Sequence, residues 1–352
     1  MFIDIDGCVW SCGSNAYGQL GLGSKGDNFL ELTKNDSLGP KILSLSCSFF
    51  HSLFLDVNGS VWACGSNQHG QLGIFAQREP VNVPHKIESL PPIQAVACGG
   101  DYSLFLDLQG SVWACGNNES GQLGLGNIVA RSTPTKITTL PQISSISSGS
   151  IHSVFIDTEG FVWGCGRNNL GQLGQPQLVN YTTAVKIADA LKIQAVSCGF
   201  DHTIFLDFDG NVWGCGLNED GQLGLENYEI SNTLVKMPNI SNIQHISCGY
   251  NSTFLLDAEG LVWACGANNF GQLGLGDTNS RAKPEKIRQL TEIKMVHCAY
   301  YRTIFVDGEN TLWYSGSDIG IAGFSVRRVK KLNVPFVPAS THHLTTKSAR
   351  KI

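Results

Sequence analysis

The amino-acid sequence predicts an all-β protein with the fold of a seven-bladed β-propeller, and three observations lead to this prediction. The seven tryptophans recur at nearly constant spacing, at positions 10, 62, 113, 163, 213, 263 and 313. Each repeat contains four short segments rich in β-branched and aromatic residues, bounded by turn residues. No stretch of the chain shows the sustained period of a helix. Repeats of about fifty residues with four strands each are typical of propeller blades.

The four strands of one repeat can be placed around Trp213. Strand A is predicted at Ile193–Cys198, strand B at His202–Asp207, strand C at Asn211–Cys215, and strand D around Val185–Ile187 of the preceding unit. Both faces of strand C carry apolar or small side chains. A strand with two apolar faces indicates a four-stranded antiparallel blade that is packed between two neighbours.

The two ends of the chain are expected to close the ring. The sequence supplies seven B and seven C strands but six clear A strands, and the seventh is predicted at about Phe336–Thr341. There it would pair with the N-terminal strands and remove an open edge. We expect one domain over residues 1–340, followed by a basic tail at 341–352. The repeat units fall near 1–51, 52–102, 103–152, 153–202, 203–252, 253–302 and 303–340.

Composition and charge narrow the function. The formal net charge of −5 argues against direct nucleic-acid binding, which favours a basic face. Residues 321–352 nevertheless hold seven Lys and Arg and no acid, so this end is either an interaction tail or a solvated end. The sequence shows no signal-peptide pattern and no apolar run of membrane-spanning length. We therefore expect a monomer in the cytoplasm, or also in the nucleus, without membrane contact.

Eleven of the twelve cysteines occupy only two positions of the repeat, and Cys8 is the exception. Ser315 replaces the cysteine of strand C in one unit, and Ser148 replaces that of strand A in another. Substitution by serine indicates small buried residues, and no C-x-x-C pair or zinc spacing is present. We expect reduced thiols, no metal and no cofactor. The two sets are Cys12, Cys64, Cys115, Cys165, Cys215 and Cys265 in strand C, and Cys47, Cys98, Cys198, Cys248 and Cys298 in strand A.

Two further recurring motifs are interpreted as framework. The Gly-Gln-Leu-Gly segments lack the lysine and the following helix of a phosphate-binding loop. We expect their leucines to fill the space between blades and their glutamines to satisfy loop backbone groups. The aspartate that ends each strand B precedes a turn, and its carboxylate is expected to accept hydrogen bonds from the turn amides.

The A–B loops differ from unit to unit, and this variability points to function. They combine aromatic, acidic, histidine and arginine side chains, and aromatic residues and arginine are common in binding hot spots. All should emerge on one face, which is the predicted partner-binding site. The alternative for the three histidines is hydrogen bonding within the loop. The predicted site residues are Phe50, His51, Asp101, Tyr102, His152, Phe200, Asp201, His202, Tyr250, Asn251, Tyr301 and Arg302.

The repeat resembles a known family. Residues 107–124 read DLQGSVWACGNNESGQLG and residues 257–274 read DAEGLVWACGANNFGQLG. This pattern is similar to the regulator of chromosome condensation repeat, over about residues 1–325. The resemblance implies the seven-bladed propeller. It also implies one of several roles: exchange factor for the Ran GTPase, domain of a ubiquitin ligase, or adaptor. The family's exchange factor uses acidic and histidine side chains at the loop positions of Asp101, Asp201, His152 and His202.

These observations favour a protein-interaction propeller that binds a protein partner, either a small GTPase or a ubiquitin-pathway protein. The sequence holds no Ser-His-Asp signature, nucleophile elbow or cofactor fingerprint, so a catalytic enzyme is not expected. The main alternative is a guanine-nucleotide exchange factor for a Ran-like GTPase. The family's exchange factor is expected to carry an inserted wedge, for which the regular spacing here leaves no room. The second alternative is a small-ligand or sugar-binding propeller.

Overall fold

Short strands separated by tight turns make up the described part of the molecule. The computed structural model describes residues 1–26, 28–75, 79–187, 191–317, 325–335 and 337–338, which form 27 strands and no helix. It follows for these residues that no helix is present that could cross a membrane.

The strands form seven sheets in which consecutive strands pair antiparallel. Six blades have four strands, and the described residues of blade 1 form three. Blade 1 contains β1 (Phe2–Ile3), β2 (Val9–Gly13) and β3 (Phe29–Lys34); blade 2 contains β4 (Ile42–Cys47), β5 (His51–Asp56), β6 (Val61–Gly65) and β7 (Val81–Lys86); blade 3 contains β8 (Ile93–Cys98), β9 (Tyr102–Asp107), β10 (Val112–Gly116) and β11 (Arg131–Lys136); blade 4 contains β12 (Ile143–Ser148), β13 (His152–Asp157), β14 (Val162–Gly166) and β15 (Tyr181–Ile187); blade 5 contains β16 (Ile193–Cys198), β17 (His202–Asp207), β18 (Val212–Gly216) and β19 (Ser231–Lys236); blade 6 contains β20 (Ile243–Cys248), β21 (Ser252–Asp257), β22 (Val262–Gly266) and β23 (Arg281–Lys286); blade 7 contains β24 (Ile293–Cys298), β25 (Arg302–Asp307), β26 (Leu312–Ser317) and β27 (Ser325–Leu332).

The seven-bladed all-β prediction is confirmed. In blade 5 the predicted strands A and B coincide with β16 and β17, and strand C is displaced by one residue to Val212–Gly216. Strand D of blade 4 extends further than predicted, over Tyr181–Ile187. The ends of the A strands line a central channel.

The hydrophobic core is divided into layers that lie between neighbouring blades. Phe205 of blade 5 is fully buried and packs in one cluster with Val154 and Leu173 of blade 4. Complete burial of one such side chain stabilises the fold by about 1.5–3 kcal/mol. Because each layer uses side chains from two blades, no blade completes its core alone.

The Gly-Gln-Leu-Gly segment joins neighbouring blades as predicted. Leu173 is fully buried, and the side-chain oxygen of Gln172 accepts a hydrogen bond from the amide of Leu170 at 3.0 Å. The backbone oxygen of Gln172 accepts one from the hydroxyl of Thr203 in the next blade at 2.7 Å. The thiol of Cys215 lies 3.5 Å from the same oxygen.

Five of the six strand C cysteines are buried in this seam, and Cys12 is partly exposed. Where Ser315 replaces a cysteine, its hydroxyl donates to the backbone oxygen of Gln272 at 2.7 Å, so serine fills the same role. Burial raises the pKa of Cys165 to about 12, which keeps the thiol protonated and unreactive. All twelve cysteines are free thiols in the structure.

The aspartate at the end of each strand B fastens the following turn to the tryptophan of strand C. Asp207 Oδ1 accepts hydrogen bonds from the amides of Asp209 at 3.0 Å and Asn211 at 2.8 Å. Asp207 Oδ2 accepts one from Trp213 Nε1 at 2.9 Å. The hydrogen bonds from the turn amides were predicted, and the hydrogen bond from the tryptophan was not. The arrangement recurs at Asp4, Asp56, Asp107, Asp157, Asp257 and Asp307.

Asp207→Ala should therefore lower the free energy of unfolding by about 2 kcal/mol, because it leaves the indole N–H of Trp213 and two turn amides without their acceptor. Urea unfolding followed by tryptophan fluorescence measures this loss. The control is Asp209→Ala in the same turn, an exposed position where a change within about 0.5 kcal/mol is expected. Equal effects of the two variants would contradict the assigned role.

The two ends of the chain meet in blade 1. Asp4 pairs with Pro338 in an antiparallel bridge, and the amide of Ile5 donates to the oxygen of Val337 at 3.0 Å. These contacts confirm that the C-terminal segment lies beside the N-terminal strand. The remainder of the strand predicted at 336–341 lies outside the described residues, as does the tail at 341–352.

Candidate protein-interaction face

The A–B loops and the turns that follow strand C lie on one side of the propeller, here called the loop face. Within each blade the two are joined; in blade 5 the amide of Leu217 donates to the oxygen of Asp201 at 2.9 Å. The B–C turns, and therefore exposed side chains such as that of Phe208, lie on the opposite face. The loop face comprises residues 48–50, 99–101, 149–151, 199–201, 249–251 and 299–301 with the turns at 15–18, 67–70, 118–121, 168–171, 218–221 and 268–271.

The middle residues of the A–B loops form a collar around the mouth of the channel. The amide of Gly100 donates to Ser150 at 3.0 Å, that of Ser150 to Phe200 at 3.2 Å, and that of Phe200 to Tyr250 at 2.9 Å. Loops that hydrogen-bond to one another present their side chains in a fixed arrangement, which lowers the entropy cost of binding. The collar consists of Phe49, Gly100, Ser150, Phe200, Tyr250 and Tyr300.

An aromatic cluster covers most of this collar. The ring of Tyr300 contacts those of Phe49, Tyr250 and Tyr301, with centroid distances of 4.3, 4.1 and 3.8 Å. The ring of Phe200 lies 4.1 Å from that of Tyr250. The cluster extends outward, and Phe49 is 40% exposed. Its members are Tyr17, Phe49, Phe50, Phe200, Tyr250, Phe270, Tyr300 and Tyr301.

The collar surrounds a cavity of about 420 Å³ at the channel mouth. Aromatic side chains line it on the side of blades 2, 5, 6 and 7, whereas Gly100 and Ser150 leave a notch at blades 3 and 4. The strand A cysteines line its wall, with Ser148 among them. Within the described residues no group of His, Cys, Asp or Glu is arranged to hold a metal ion.

The twelve predicted site residues divide into two groups. Seven are partly exposed on the loop face: Phe50, Asp101, Phe200, Tyr250, Asn251, Tyr301 and Arg302. Five are buried: His51, Tyr102, His152, Asp201 and His202. For the buried five the prediction of partner contact is corrected, because the neighbouring blade covers their side chains. For the other seven it stays a prediction.

The buried histidines connect blades. His202 Nε2 lies 3.1 Å from the hydroxyl of Thr253, which itself donates to the backbone oxygen of Gln222 at 2.7 Å. Because that hydroxyl proton is already used, Nε2 must carry the ring proton and donate it. His51 and His152 make the equivalent contacts to Ser103 and Thr203.

The second ring nitrogen is then an acceptor, and its surroundings differ between blades. In His51 the Nδ1 atom lies 2.8 Å from the hydroxyl of Ser48. In His152 and His202 the Nδ1 atom is buried and has no hydrogen-bond partner among the described residues. A glycine replaces Ser48 there, and a Cβ at Gly199 would lie 2.0 Å from the His202 ring. Hydrogen bonding by the histidines, the alternative to partner binding, is therefore what the structure shows, and it runs mainly between blades.

Charged side chains on the loop face have structural partners. Asp201 is 5% exposed, accepts a hydrogen bond from Gln172 at 3.0 Å and lies 3.7 Å from Arg167. Burial raises the pKa of Asp201, and the Arg167 guanidinium opposes that shift. Burial also raises the pKa of Asp101, which remains half-exposed. Arg302 donates from Nε to the oxygen of Ser317 at 2.7 Å.

The structure adds four aromatic residues to the predicted site. Phe49 and Tyr300 lie in A–B loops whose variability had been noted, and only their neighbours were chosen. Tyr17 and Phe270 lie in the Asn-x-x-Gly turns just before the Gly-Gln-Leu-Gly segments, and these turns were not predicted to belong to the site. The aromatic side chain at the variable third position of those turns was the signal that could have identified them.

Comparison with known proteins identifies a matching family model and several similar proteins. The family model described as the regulator of chromosome condensation repeat matches residues 6–55, 58–106, 109–156, 159–206, 209–256 and 259–306. The chain is 36% identical over 125 residues to Protein RCC2 homolog of Xenopus laevis, covering 35% of this chain and 24% of that protein. It is 37% identical over 120 residues to the secretion-regulating guanine nucleotide exchange factor of Mus musculus, covering 33% and 26%.

A solved structure confirms the fold over nearly the whole chain. Prp20p from Saccharomyces cerevisiae superimposes with a TM-score of 0.84 at 22% identity, covering 95% of this chain and 88% of that one. The chain spans about a quarter of the length of the curated relatives it matches. The six matched repeats cover well over half of the sequence. The chain therefore belongs to the regulator of chromosome condensation repeat family.

Proposed function

We propose that this protein is a protein-binding propeller that captures its partner on the loop face, with the aromatic cluster as the main anchor. The cluster is the observation that carries this proposal. Eight aromatic rings in contact, several of them partly exposed, form an apolar patch on an otherwise polar rim. Exposed apolar patches mark interaction sites, and aromatic side chains dominate binding hot spots.

The rigidity of the loops supports the same proposal. The collar is held by backbone hydrogen bonds between neighbouring loops, and the buried histidines connect the strands beneath it. A partner would therefore meet a preformed surface, as is common for loops placed on a rigid scaffold.

The relatives suggest the class of partner. One is named a guanine nucleotide exchange factor, and Prp20p has been described for its binding properties to Gsp1p and histones. A small GTPase is accordingly the first class of partner to test, and a ubiquitin-pathway protein is the second. Nucleotide exchange is the alternative function. The six described A–B loops have the same length, so none of them carries an inserted wedge.

Truncation of the collar should abolish partner capture. In the variant Phe49→Ala, Tyr250→Ala, Tyr300→Ala the anchor is lost, and each hot-spot truncation costs about 2 kcal/mol or more. Affinity should fall at least about 30-fold, measured on partners captured from the native organism and identified by mass spectrometry. The matched control truncates exposed apolar residues on the opposite face, Val57, Leu108 and Phe208. Equal capture by both variants would show that the loop face was wrongly chosen.

Exchange activity is tested separately by release of a fluorescent nucleotide from a Ran-like GTPase. We expect acceleration well below about 100-fold with catalytic amounts of the propeller. A hundredfold acceleration corresponds to about 2.7 kcal/mol of barrier lowering. An effect of that size would establish the exchange-factor alternative.

A further inference from the structure

A second exposed apolar surface runs along the outer edge of the loop face. The C–D loops, which join the two outermost strands of each blade, carry large apolar side chains in blades 3, 4 and 5. These side chains are 44–61% exposed and are here called the outer ridge: Ile128, Val129, Leu178, Val179, Tyr228 and Ile230. In blade 6 the equivalent residues are polar, Thr278, Asn279 and Ser280, so the fold does not require apolar residues at these positions.

Buried asparagines hold the loops of the outer ridge in place. The side chain of Asn118 is completely buried and donates to the backbone oxygens of Asn127 at 2.9 Å and Val129 at 3.1 Å. Asn168 and Asn218 donate in the same way to backbone oxygens in the loops of blades 4 and 5. An ordered backbone presents the exposed apolar side chains in a fixed arrangement, which lowers the entropy cost of binding.

The outer ridge is continuous, because its loops are bonded to strand D of the next blade. The amide of Gly126 in blade 3 donates to the backbone oxygen of Thr182 in blade 4 at 2.8 Å. The side chain of Asn232 in blade 5 donates to the backbone oxygen of Pro176 in the loop of blade 4 at 3.2 Å. Large exposed apolar side chains on adjoining loops, bordered by polar residues, are typical of an interaction surface.

The charge beside the outer ridge is negative. Residues 117–131, 167–180 and 217–230, which contain the ridge loops and the turns before them, hold five acidic and two basic residues. Both basic residues are already bonded within the fold, since Arg131 donates to backbone oxygens of its own loop and Arg167 is paired with a buried carboxylate. Four of the acids take part in no ion pair among the described residues: Glu119, Glu219, Asp220 and Glu229.

We propose that the outer ridge binds a basic amphipathic helix of a partner protein. The apolar ridge and the acidic turns on its inner side form two adjacent rows, and an amphipathic helix with Lys and Arg beside its apolar face carries matching rows. Opposite charges across the contact steer association and select the partner. The same acids repel nucleic acid and anionic membranes, and they would oppose one another in a two-fold contact between copies of this chain. This contact does not require the aromatic cluster, so it is independent of the proposed function.

The first test uses a fluorescein-labelled peptide of about 18 residues, a helix about 27 Å long, with leucine at i, i+3, i+4 and i+7 and lysine at the other positions. The peptide is titrated into the full-length protein and followed by anisotropy. Binding should weaken at least about tenfold in the ridge variant Ile128→Ser, Leu178→Ser, Tyr228→Ser. The matched control removes apolar side chains of similar exposure from the opposite face and should leave binding unchanged: Val57→Ser, Leu108→Ser, Phe208→Ser. Equal binding by the natural chain and the ridge variant would overturn the proposal.

The second test concerns charge. The variant Glu119→Gln, Glu219→Gln, Glu229→Gln keeps the size of three exposed side chains and should weaken binding of the lysine peptide at least about threefold at 0.01 M salt. The difference should shrink at 0.1 M, since the Debye length falls from about 30 Å to about 10 Å. A matched peptide with glutamate in place of lysine should bind far more weakly. Equal binding of the two peptides would show that the segment need not be basic and would overturn the assigned occupant.

Two further results would contradict this inference. Peptide binding that is lost in the collar variant Phe49→Ala, Tyr250→Ala, Tyr300→Ala and kept in the ridge variant would assign the peptide to the aromatic cluster. Sedimentation that shows a dimer of the natural chain and a monomer of the ridge variant would make a second copy the occupant. Conversely, peptide binding that depends on the ridge, together with partner capture that survives collar truncation, would support this inference and overturn the proposed function.

Discussion

At pH 5 the protein should be about 5 kcal/mol less stable than at pH 7, because three buried histidines must stay neutral in the folded chain. Burial lowers the pKa of His51, His152 and His202 to about 3 each. All three are completely buried, and at each the neighbouring blade supplies a hydroxyl beside Nε2. A loss of this size approaches the whole stability of a typical domain, about 5–15 kcal/mol.

The sign follows from which state binds protons. In the unfolded chain a histidine titrates near pH 6.5, and in the folded chain these three titrate near pH 3. Between these values the unfolded state holds more protons, so stability is full above about pH 6.5 and is lost as the pH falls. The slope is about 1.4 kcal/mol per pH unit for each histidine, or about 4 kcal/mol for three. The raised pKa values of Asp101 and Asp201 act in the opposite direction, because in their range the folded chain holds more protons than the unfolded chain.

Urea unfolding at pH 7, 6 and 5 measures the slope, and the chain itself suggests the control. Tyr102 occupies in blade 3 the position of His152 and His202, is fully buried, and bonds to the next blade without titrating in this range. The variant His152→Tyr, His202→Tyr should reduce the slope by about 2.7 kcal/mol per pH unit, which is about 1.4 for each histidine replaced. Stability that is constant from pH 7 to pH 5 in the natural chain would contradict the assignment.

These histidines also mark a limit of inference from sequence. Periodicity identified which residues recur, and recurrence correctly separated framework from variable loops. It placed the start of strand B correctly at His202, but it did not show which way the side chain at that position faces. His202 is the first residue of β17, where its side chain turns towards the neighbouring blade and not towards solvent. A hydroxyl recurs at the position after the histidine, as at Thr203 in this blade. This recurrence was a usable signal of a structural role, since Thr203 is the hydrogen-bond partner of His152 in the preceding blade.

The aromatic cluster could be predicted only in part, for a different reason. The sequence places Phe200 and Tyr250 in equivalent loops but does not give the separation of those loops in space. That separation depends on the number of blades and on the tilt that brings the loops within hydrogen-bonding distance around the channel. Ring contacts such as Tyr300 with Phe49, which join blades 7 and 2, arise from closure of the circle.

Closure of the ring by the two ends of the chain underlies the second prediction of a large change in stability. Deleting residues 333–352 should lower the free energy of unfolding by several kcal/mol, because blade 1 keeps only three strands and β1 contains two residues. The deletion removes the bridge between Asp4 and Pro338, and the latter is buried. It must begin after β27, which extends over Ser325–Leu332 and is the outer strand of blade 7. A deletion from residue 326 would damage two blades at once.

Thermal and urea unfolding of two deletions separate ring closure from other roles of the C-terminal segment. Removal of residues 344–352 alone retains the segment that pairs with Asp4, so stability should change by no more than about 0.5 kcal/mol. Removal of 333–352 should lower the melting temperature strongly and expose the layer between blades 1 and 2, where Val9, Ile42 and Phe54 are buried. Increased hydrogen exchange confined to that layer would locate the opening. Cooperative melting of the longer deletion at the temperature of the full chain would mean that the ring is held by its other blades, and that pairing of the two ends contributes little to stability.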